Sequence, residues 1–462
     1  MRRVHVLFAG AVAVAGAAVL VGNRSATPAE VQGAPLDPAA TDRADRADRP
    51  ASRDRAPADP AAGPADPGRA AAAAATAAAI ADLVDLDQRA LSADGTHYEA
   101  KLKDGRVAVL TLDPALQAMA ERLLAEARAP RGAIVAMAPD GRILALAGRR
   151  SDPSAKDGKD AREARPARAH DATFDWHLAT EVWAPAASVF KLVTASALVA
   201  AGVDPGDRVC FHGGLRSVQE SNLRDDRRDS RCESLLYGVA HSNNAIVGKL
   251  AFQKLAPSEL TRFAHQLGVA EGLPGAELRG TAGAVDIPAV RDLNFAQAAA
   301  GFTGSRLSAV GGALLAATFA DDGEQPAPRL VASIDGVALP AAPRRRAVAS
   351  DVARSVGRMM LATCEFGSAA RSFGKHQAIR VAGKTGTLTR SEPFYMEHSW
   401  FVGYAPVERP QIIVSVVLGN PENWHLRGHE AARRLIDRAL APATGREKNR
   451  TAKIGPTRRV GW

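Results

Sequence analysis

Residues 23 to 80 set the first limit on what this chain can fold into. They include "TDRADRADRPASRDRAPADPAAGPADPGRAAAAAA", where Ala, Pro, Asp and Arg alternate with no apolar period. Such a stretch cannot bury enough surface to offset the entropy of ordering it. It reads as a disordered linker over 23–80, so a folded body has to be built from the residues after it. Hydrophobic residues make up 46% of the chain, which is enough for a substantial core there.

Ahead of the linker, Arg2 and Arg3 precede "VHVLFAGAVAVAGAAVLVG", nineteen residues interrupted only by His5. That length can span a bilayer, and positive charge before it places the downstream residues outside the cytoplasm. A cleaved signal peptide is the alternative. The long apolar core, and the lack of a small-x-small site before Asn23, favour a cytoplasmic tip and uncleaved signal anchor over residues 1–22. The expected location is the inner (cytoplasmic) membrane, single-pass, with the folded body in the periplasm or extracytoplasmic space. A net charge of +9 suits an anionic setting such as a membrane surface or cell-wall polymer. Nothing resembling a nucleic-acid motif accompanies it, so no nucleic-acid partner is expected.

Export bears on the three cysteines. In an oxidising compartment Cys210 and Cys232 could close a loop and leave Cys364 unpaired; a fully reduced set is the alternative. No Cys-x-x-Cys occurs, and His212, His241, His398, His425 and His429 lack regular ligand spacing, so neither a metal nor a cofactor is expected.

Order is expected from about Thr96. "HYEAKL" and "RVAVLTL" predict a hairpin about "KDGR". "DPALQAMAERLLAEARA" predicts a helix with Asp113 as N-cap and Pro114 at its first position. "GAIVAMAPDGRILALAG" gives two strands about a Pro-Asp-Gly turn, and 151–170 reads as a polar loop. After a polar excursion at 206–232, helical patterns run from 233 to 320. A Pro-Gly-rich link at 323–343 leads to a helix at 350–364, then to the strands "IRVAGKTGTLT" and "SWFVGYAP…QIIVSVVLG". "GHEAARRLIDRALA" closes the body as an amphipathic helix, and 443–462 reads as a basic disordered tail. Strands flanking a long helical middle indicate an α+β domain over 96–442, an antiparallel sheet flanked by helices with a helical subdomain.

Within that body, "PAASVFKLVTASALVAAG" at 185–202 is apolar except for one lysine, three residues after a serine. A capping serine would favour Glu or Gln three residues on, and here stands Lys191. Pro185 favours the first helical position, so the helix is expected to start near 185 with Ser188 inside its first turn. Residues i and i+3 share a face, which brings the Lys191 amine to the Ser188 hydroxyl. Burial lowers a lysine pKa, and a neutral amine can take a proton from a serine. The pattern alone is weak: "SFGK" at Ser372–Lys375 repeats it, though Gly374 and the polar "KHQ" argue there for a loop.

Two further motifs lie downstream. Ser242-Asn243-Asn244 stands 54 residues after Ser188, ahead of a helical pattern. It reads either as a helix cap or as a proton relay (Ser242) with an amide holder (Asn244). Lys384-Thr385-Gly386 sits in an expected strand, where lysine and glycine need a reason. The glycine lets another backbone come close, and Lys384, Thr385 and Thr387 offer donors for a carboxylate. An edge device is the alternative.

Together and in this order, Ser188-x-x-Lys191, Ser242-Asn243-Asn244 and Lys384-Thr385-Gly386 resemble the penicillin-binding protein transpeptidase family. The resemblance runs over about 96–440 and takes in "LTLDPALQAMAERLL", "FTGSRLSAVGGALLAATFADDG" and "SWFVGYAP". It implies a peptidoglycan D,D-transpeptidase preceded by a single transmembrane anchor. Ser188 would attack the D-Ala-D-Ala carbonyl of a stem peptide, with Lys191 as base. Ser242 and Lys384 would shuttle the proton, and Thr385, Gly386 and Thr387 would form the substrate-binding strand. The backbone N–H groups of Ser188 and Thr387 would make the oxyanion hole, and β-lactams would acylate Ser188. The 23–80 linker leaves no room for an upstream glycosyltransferase domain, so a separate glycosyltransferase is the expected partner. A D,D-carboxypeptidase shares every motif. A β-lactamase is disfavoured because the nearest candidate for its Glu-x-x-Leu-Asn loop, at Glu277, does not match. The non-enzyme alternative is a membrane-tethered sensor of β-lactams or wall peptides, against which the intact motifs argue.

Overall fold

The computed structural model describes residues 89–151, 173–274, 278–341, 343–374, 378–391 and 395–441. The expected anchor (1–22), linker (23–80) and tail (443–462) lie outside the described residues, as does nearly all of the 151–170 loop. Among the described residues no helix is long and apolar enough to cross a membrane.

An antiparallel sheet of six strands carries the body. β1 (Arg131–Met137), β2 (Ile143–Arg150) and the short β3 (Thr173–Phe174) come early in the chain. β4 (Ala382–Arg390), β5 (Met396–Ala405) and β6 (Ile412–Asn420) come from its last third. The spatial order is β4-β5-β6-β1-β2-β3. Early and late segments therefore meet at one seam, where Val416 lies opposite Ile134 and Val417 opposite Ala133.

Of helices α1 (Pro114–Ala127), α2 (Lys191–Ala200), α3 (Asn244–Lys254), α4 (Ala309–Ala320), α5 (Ser350–Glu365) and α6 (Gly428–Ala439), α1, α4, α5 and α6 pack on this sheet, while α2 and α3 pack on one another and on neighbouring helices. Period-two alternation splits the strands between two cores. Ile134, Phe401, Val416 and Leu418 pack with Leu123 and Leu124 of α1 and Leu435 and Ile436 of α6. Val135, Trp400, Val402 and Val417 pack on the other face with Leu315 of α4 and with Phe190 beside α2. Because both faces are covered, β6 is buried along its whole length, which is why "IIVSVVLG" reads as a nearly unbroken apolar run. α1 starts as expected: the Leu116 N–H donates to Asp113 Oδ1 at 2.8 Å, and Pro114 holds the first position.

Two expectations need correction. The 323–343 stretch is not a plain link. Val331–Ile334 pairs with Val107–Leu110 and extends the predicted hairpin into a second, five-stranded sheet. Asp335 and Gly336 turn it with φ of 45° and 78°, a hairpin signal outweighed in the sequence by the surrounding prolines. Nor does a helix start at 185. Ala184–Pro185 forms a short strand against Arg306–Leu307, a 3-10 turn covers Ala187–Phe190, and α2 proper opens at Lys191. Proline is tolerated there because this strand has a free edge for the missing N–H.

Cys210 and Cys232 face each other across a hairpin of Arg208–Phe211 with Arg231–Ser234 and are joined by a disulfide. Cys364 is a free, buried thiol in α5.

Replacing fully buried Leu435 by Ala should lower stability by about 2–5 kcal/mol, read as a shift in urea midpoint, because the α6 contact closes one core. Val337→Ala, at a position 69% exposed, should cost less than about 0.5 kcal/mol. Equal costs would contradict this placement of the core.

Candidate active site

Three devices hold the segment carrying Ser188. The Ala186 N–H donates to Ser305 O at 3.0 Å, Trp400 Nε1 donates to Pro185 O at 2.8 Å, and Thr194 Oγ1 donates to Ala299 O at 2.7 Å. Ala187, immediately before the serine, has φ of 49°. A non-glycine residue in that left-handed region is strained, and such strain persists only where the surroundings impose it. Gly301 is part of that surrounding, since a Cβ there would stand 2.0 Å from Ala187 O.

Ser188 is half-buried at the surface of this turn, and Lys191 is fully buried beneath it. Lys191 Nζ lies 2.7 Å from Ser188 Oγ, 2.8 Å from Asn244 Oδ1 and 2.7 Å from Ala300 O. Two of these partners are carbonyl oxygens, which can only accept. The third is a hydroxyl, which can do either. A charged ammonium would donate to all three. A neutral amine would donate to the two carbonyls and turn its lone pair to the Ser188 hydroxyl. Both protonation states are therefore satisfied in one geometry, which is what a general base needs. Burial first, and then the positive charge of Lys384, hold the Lys191 pKa well below its ordinary value.

Asn244 is the first residue of α3, and Asn243 is its cap, accepting the Ile246 N–H at 3.1 Å. The capping reading of Ser242-Asn243-Asn244 thus holds for the middle residue alone, which leaves its two neighbours to the site. Asn244 Nδ2 donates to Leu215 O at 3.3 Å, which orients the amide so that its oxygen meets Lys191. Ser242 has φ of 56°, the second strained non-glycine residue here. Its hydroxyl accepts from Lys384 Nζ at 3.1 Å, and the same amine donates to Thr385 O at 2.9 Å. Lys384 is fully buried, and burial lowers its pKa to about 7.

Lys384-Thr385-Gly386 lies in β4, paired with Val402, Phe401 and Trp400 of β5. A Cβ on Gly386 would lie 3.2 Å from both Val189 and Trp400 and 3.3 Å from Ala186 O. Glycine there lets β4 run against the Ser188 turn. Thr387 is exposed beside it, and Thr385 Oγ1 lies 2.6 Å from Ser368 Oγ. A cleft of about 410 Å³ opens over these groups, lined by Ser188, Ser242, Asn244, Thr385 and Thr387.

The sequence-predicted residues thus come together, with the two lysines as a buried floor. Cys210 and Cys232 stand outside the cleft wall. Ser372, from the competing Ser-x-x-Lys match, lies in the short helix Ala370–Phe373, and Lys375 lies outside the described residues. Three contributors escaped sequence reasoning, the Ala300 carbonyl, Ser368 and Arg216, and His241 figures in it only as a histidine without ligand spacing; all four residues line the cleft. A main-chain carbonyl leaves no mark in a sequence. For the others the only signal was position beside a turn, at "FGS", at "HGGLR" and ahead of Ser242-Asn243-Asn244.

A family model described as the penicillin-binding protein transpeptidase domain matches residues 132–439. The chain is similar to the peptidoglycan D,D-transpeptidase PbpA of Mycolicibacterium smegmatis, 26% identical over 310 residues, which span 62% of this chain and 62% of that protein. It is also similar to the probable peptidoglycan D,D-transpeptidase PenA of Neisseria flavescens, 28% identical over 339 residues, or 69% of this chain and 77% of that one. Among solved structures, the ceftriaxone acyl-enzyme of penicillin-binding protein A from M. tuberculosis superposes with a TM-score of 0.59 at 22% identity, over 73% of this chain and 80% of that one. Penicillin-binding protein 2B of Streptococcus pneumoniae gives 0.56 at 20% identity, over 72% and 60%. At these identities the two structures establish a shared fold.

The lowered pKa of Lys384 links the site to stability. Between pH of about 7 and its ordinary value of 10.5, the unfolded chain keeps a proton on this lysine and the folded chain does not. Stability should therefore rise with pH across that window, by up to about 1.4 kcal/mol per pH unit from this group. Lys384→Met should flatten the slope in denaturant titrations run from pH 6 to 10. Identical slopes would contradict a neutral Lys384.

Proposed function

The chain belongs to the penicillin-binding protein transpeptidase domain family, and from that premise we propose that it is a peptidoglycan D,D-transpeptidase. It crosslinks stem peptides through a Ser188 acyl-enzyme, and β-lactams acylate the same serine. The observation that carries this reading is the 2.7 Å contact of a fully buried lysine amine with a half-buried serine, the amine's other bonds being spent on two carbonyls.

The reaction is divided among these residues. Thr385 and Thr387 receive the terminal carboxylate of a D-Ala-D-Ala donor beside the Lys384 amine. The Asn244 amide keeps a second N–H for the donor's backbone while its oxygen holds Lys191. Ser188 Oγ attacks the penultimate carbonyl as its proton passes to Lys191 Nζ. The tetrahedral oxyanion forms beside the start of α2, where main-chain N–H dipoles favour negative charge. On collapse the C–N bond breaks, and D-alanine leaves with a proton relayed through the lysine pair and Ser242. An amine from a neighbouring stem peptide then attacks the ester. It gives up its proton by the same route, releases Ser188 and completes the crosslink.

Residues 1–22 would anchor the protein in the cytoplasmic membrane, with the catalytic body on the extracytoplasmic side, and a separate glycosyltransferase would supply the strands to be joined. The Cys210–Cys232 disulfide suits that oxidising location.

Incubation of the full-length chain with a stem pentapeptide and an acceptor amine should release D-alanine and form the amide-linked product, and Ser188→Ala should do neither. D-alanine release without amide product would replace transpeptidation by carboxypeptidation. No turnover and no acylation by penicillin would overturn the enzyme reading in favour of a binding protein.

A further inference from the structure

The excursion from Arg208 to Ser234 is tied down more firmly than a surface loop requires. Besides its disulfide, it contributes Asp229, whose carboxylate is 6% exposed. Asp229 Oδ2 accepts from Lys249 Nζ at 2.7 Å, and Oδ1 lies 2.6 Å from His212 Nδ1. Lys249, fully buried in α3, also donates to Cys210 O at 2.8 Å. Breaking such a pair would strand a buried charge, so the excursion and α3 behave as one rigid unit.

That unit reaches the cleft. The Asn244 N–H donates to Gly214 O at 2.7 Å, and Asn243 Nδ2 to Gly213 O at 3.4 Å. Gly214 has φ of 82°, and a Cβ there would stand 2.6 Å from the Ala245 nitrogen, so main chain lies directly on the helix start. Arg216 stands two residues later. It is exposed, it lines the cleft with Ser188 and Asn244, and it has no ion-pair partner among the described residues. Among those residues no Asp or Glu lines the cleft either. A guanidinium presented by a rigid wall into a cleft without counter-charge is a receptor for a carboxylate or a similar planar anion. Thr385 and Thr387 lie on the β4 flank of the nucleophile, whereas Arg216 lies on the Asn244 flank.

We propose that Arg216 binds a second carboxylate of the acyl donor, one on the acyl side of the scissile bond, and so sets a preference for doubly anionic donors. The inference rests on the acyl-transfer reading of the cleft and adds a specificity determinant to it.

The test compares acylation of the full-length chain by benzylpenicillin and by its α-carboxylated analogue, which differ by one carboxylate on the acyl side chain. The quantity read is the ratio of second-order acylation constants, carboxylated over plain. Arg216→Ala should lower that ratio about tenfold, the worth of a charge-assisted hydrogen bond, and Arg216→Lys should lower it less. Raising salt should shrink the ratio in wild type and leave it flat in R216A. A ratio unchanged in R216A, including equal losses on both donors, would overturn the assignment of Arg216 alone. Acylation of the wild type by benzylpenicillin but not by its carboxylated analogue would likewise overturn the inference alone, whereas failure of both penicillins to acylate it would overturn the acyl-transfer reading and this inference with it.

Discussion

The site depends on one buried amine. Lys191 has given up water for two carbonyl oxygens and a serine hydroxyl, all within 2.8 Å. Burial disfavours its charge, and a second buried lysine, Lys384, disfavours it further. The partners come from α3, from the segment before Gly301 and from the Ser188 turn. The amine can stay in place only while those three segments keep their relative positions. Much of the fold serves that requirement. Trp400 fixes Pro185, Thr194 fixes Ala299, and the Gly214 and Leu215 carbonyls fix Asn244.

These arrangements work against stability. Two lysines with no carboxylate partner among the described residues are buried side by side, and Ala187 and Ser242 are held at positive φ. Residues of this kind concentrate where function overrides the local optimum. The compensation lies in the sheet, where β5 and β6 are buried on both faces and hold the two cores together. Glycines supply the remaining clearance: Gly386 lets β4 approach the Ser188 turn, and Gly301 packs over Ala187.

Much of this was legible in the sequence, for identifiable reasons. A lysine three residues from a serine in an apolar run, and a lysine and glycine inside a strand, violate local preferences and so mark themselves. The α1 cap and the hairpin about Pro139-Asp140-Gly141 come from turn and cap chemistry that acts over a few residues. What stayed hidden acts at long range. Pro185 looked like a helix start because its partner strand, Arg306–Leu307, is more than a hundred residues away. Val331–Ile334 looked like linker because its pairing with Val107–Leu110 leaves no local trace. Ser368 and Arg216 were ordinary polar residues until the fold placed them in the cleft wall.

The central claim is that Lys191 meets Ser188 as an uncharged amine, and the pH profile of the acylation rate by benzylpenicillin tests it most directly. The rate should rise with pH as the amine loses its proton and level off well below the ordinary lysine value of 10.5. Absence of acylation, or a rate that keeps climbing towards that ordinary value, would contradict the account.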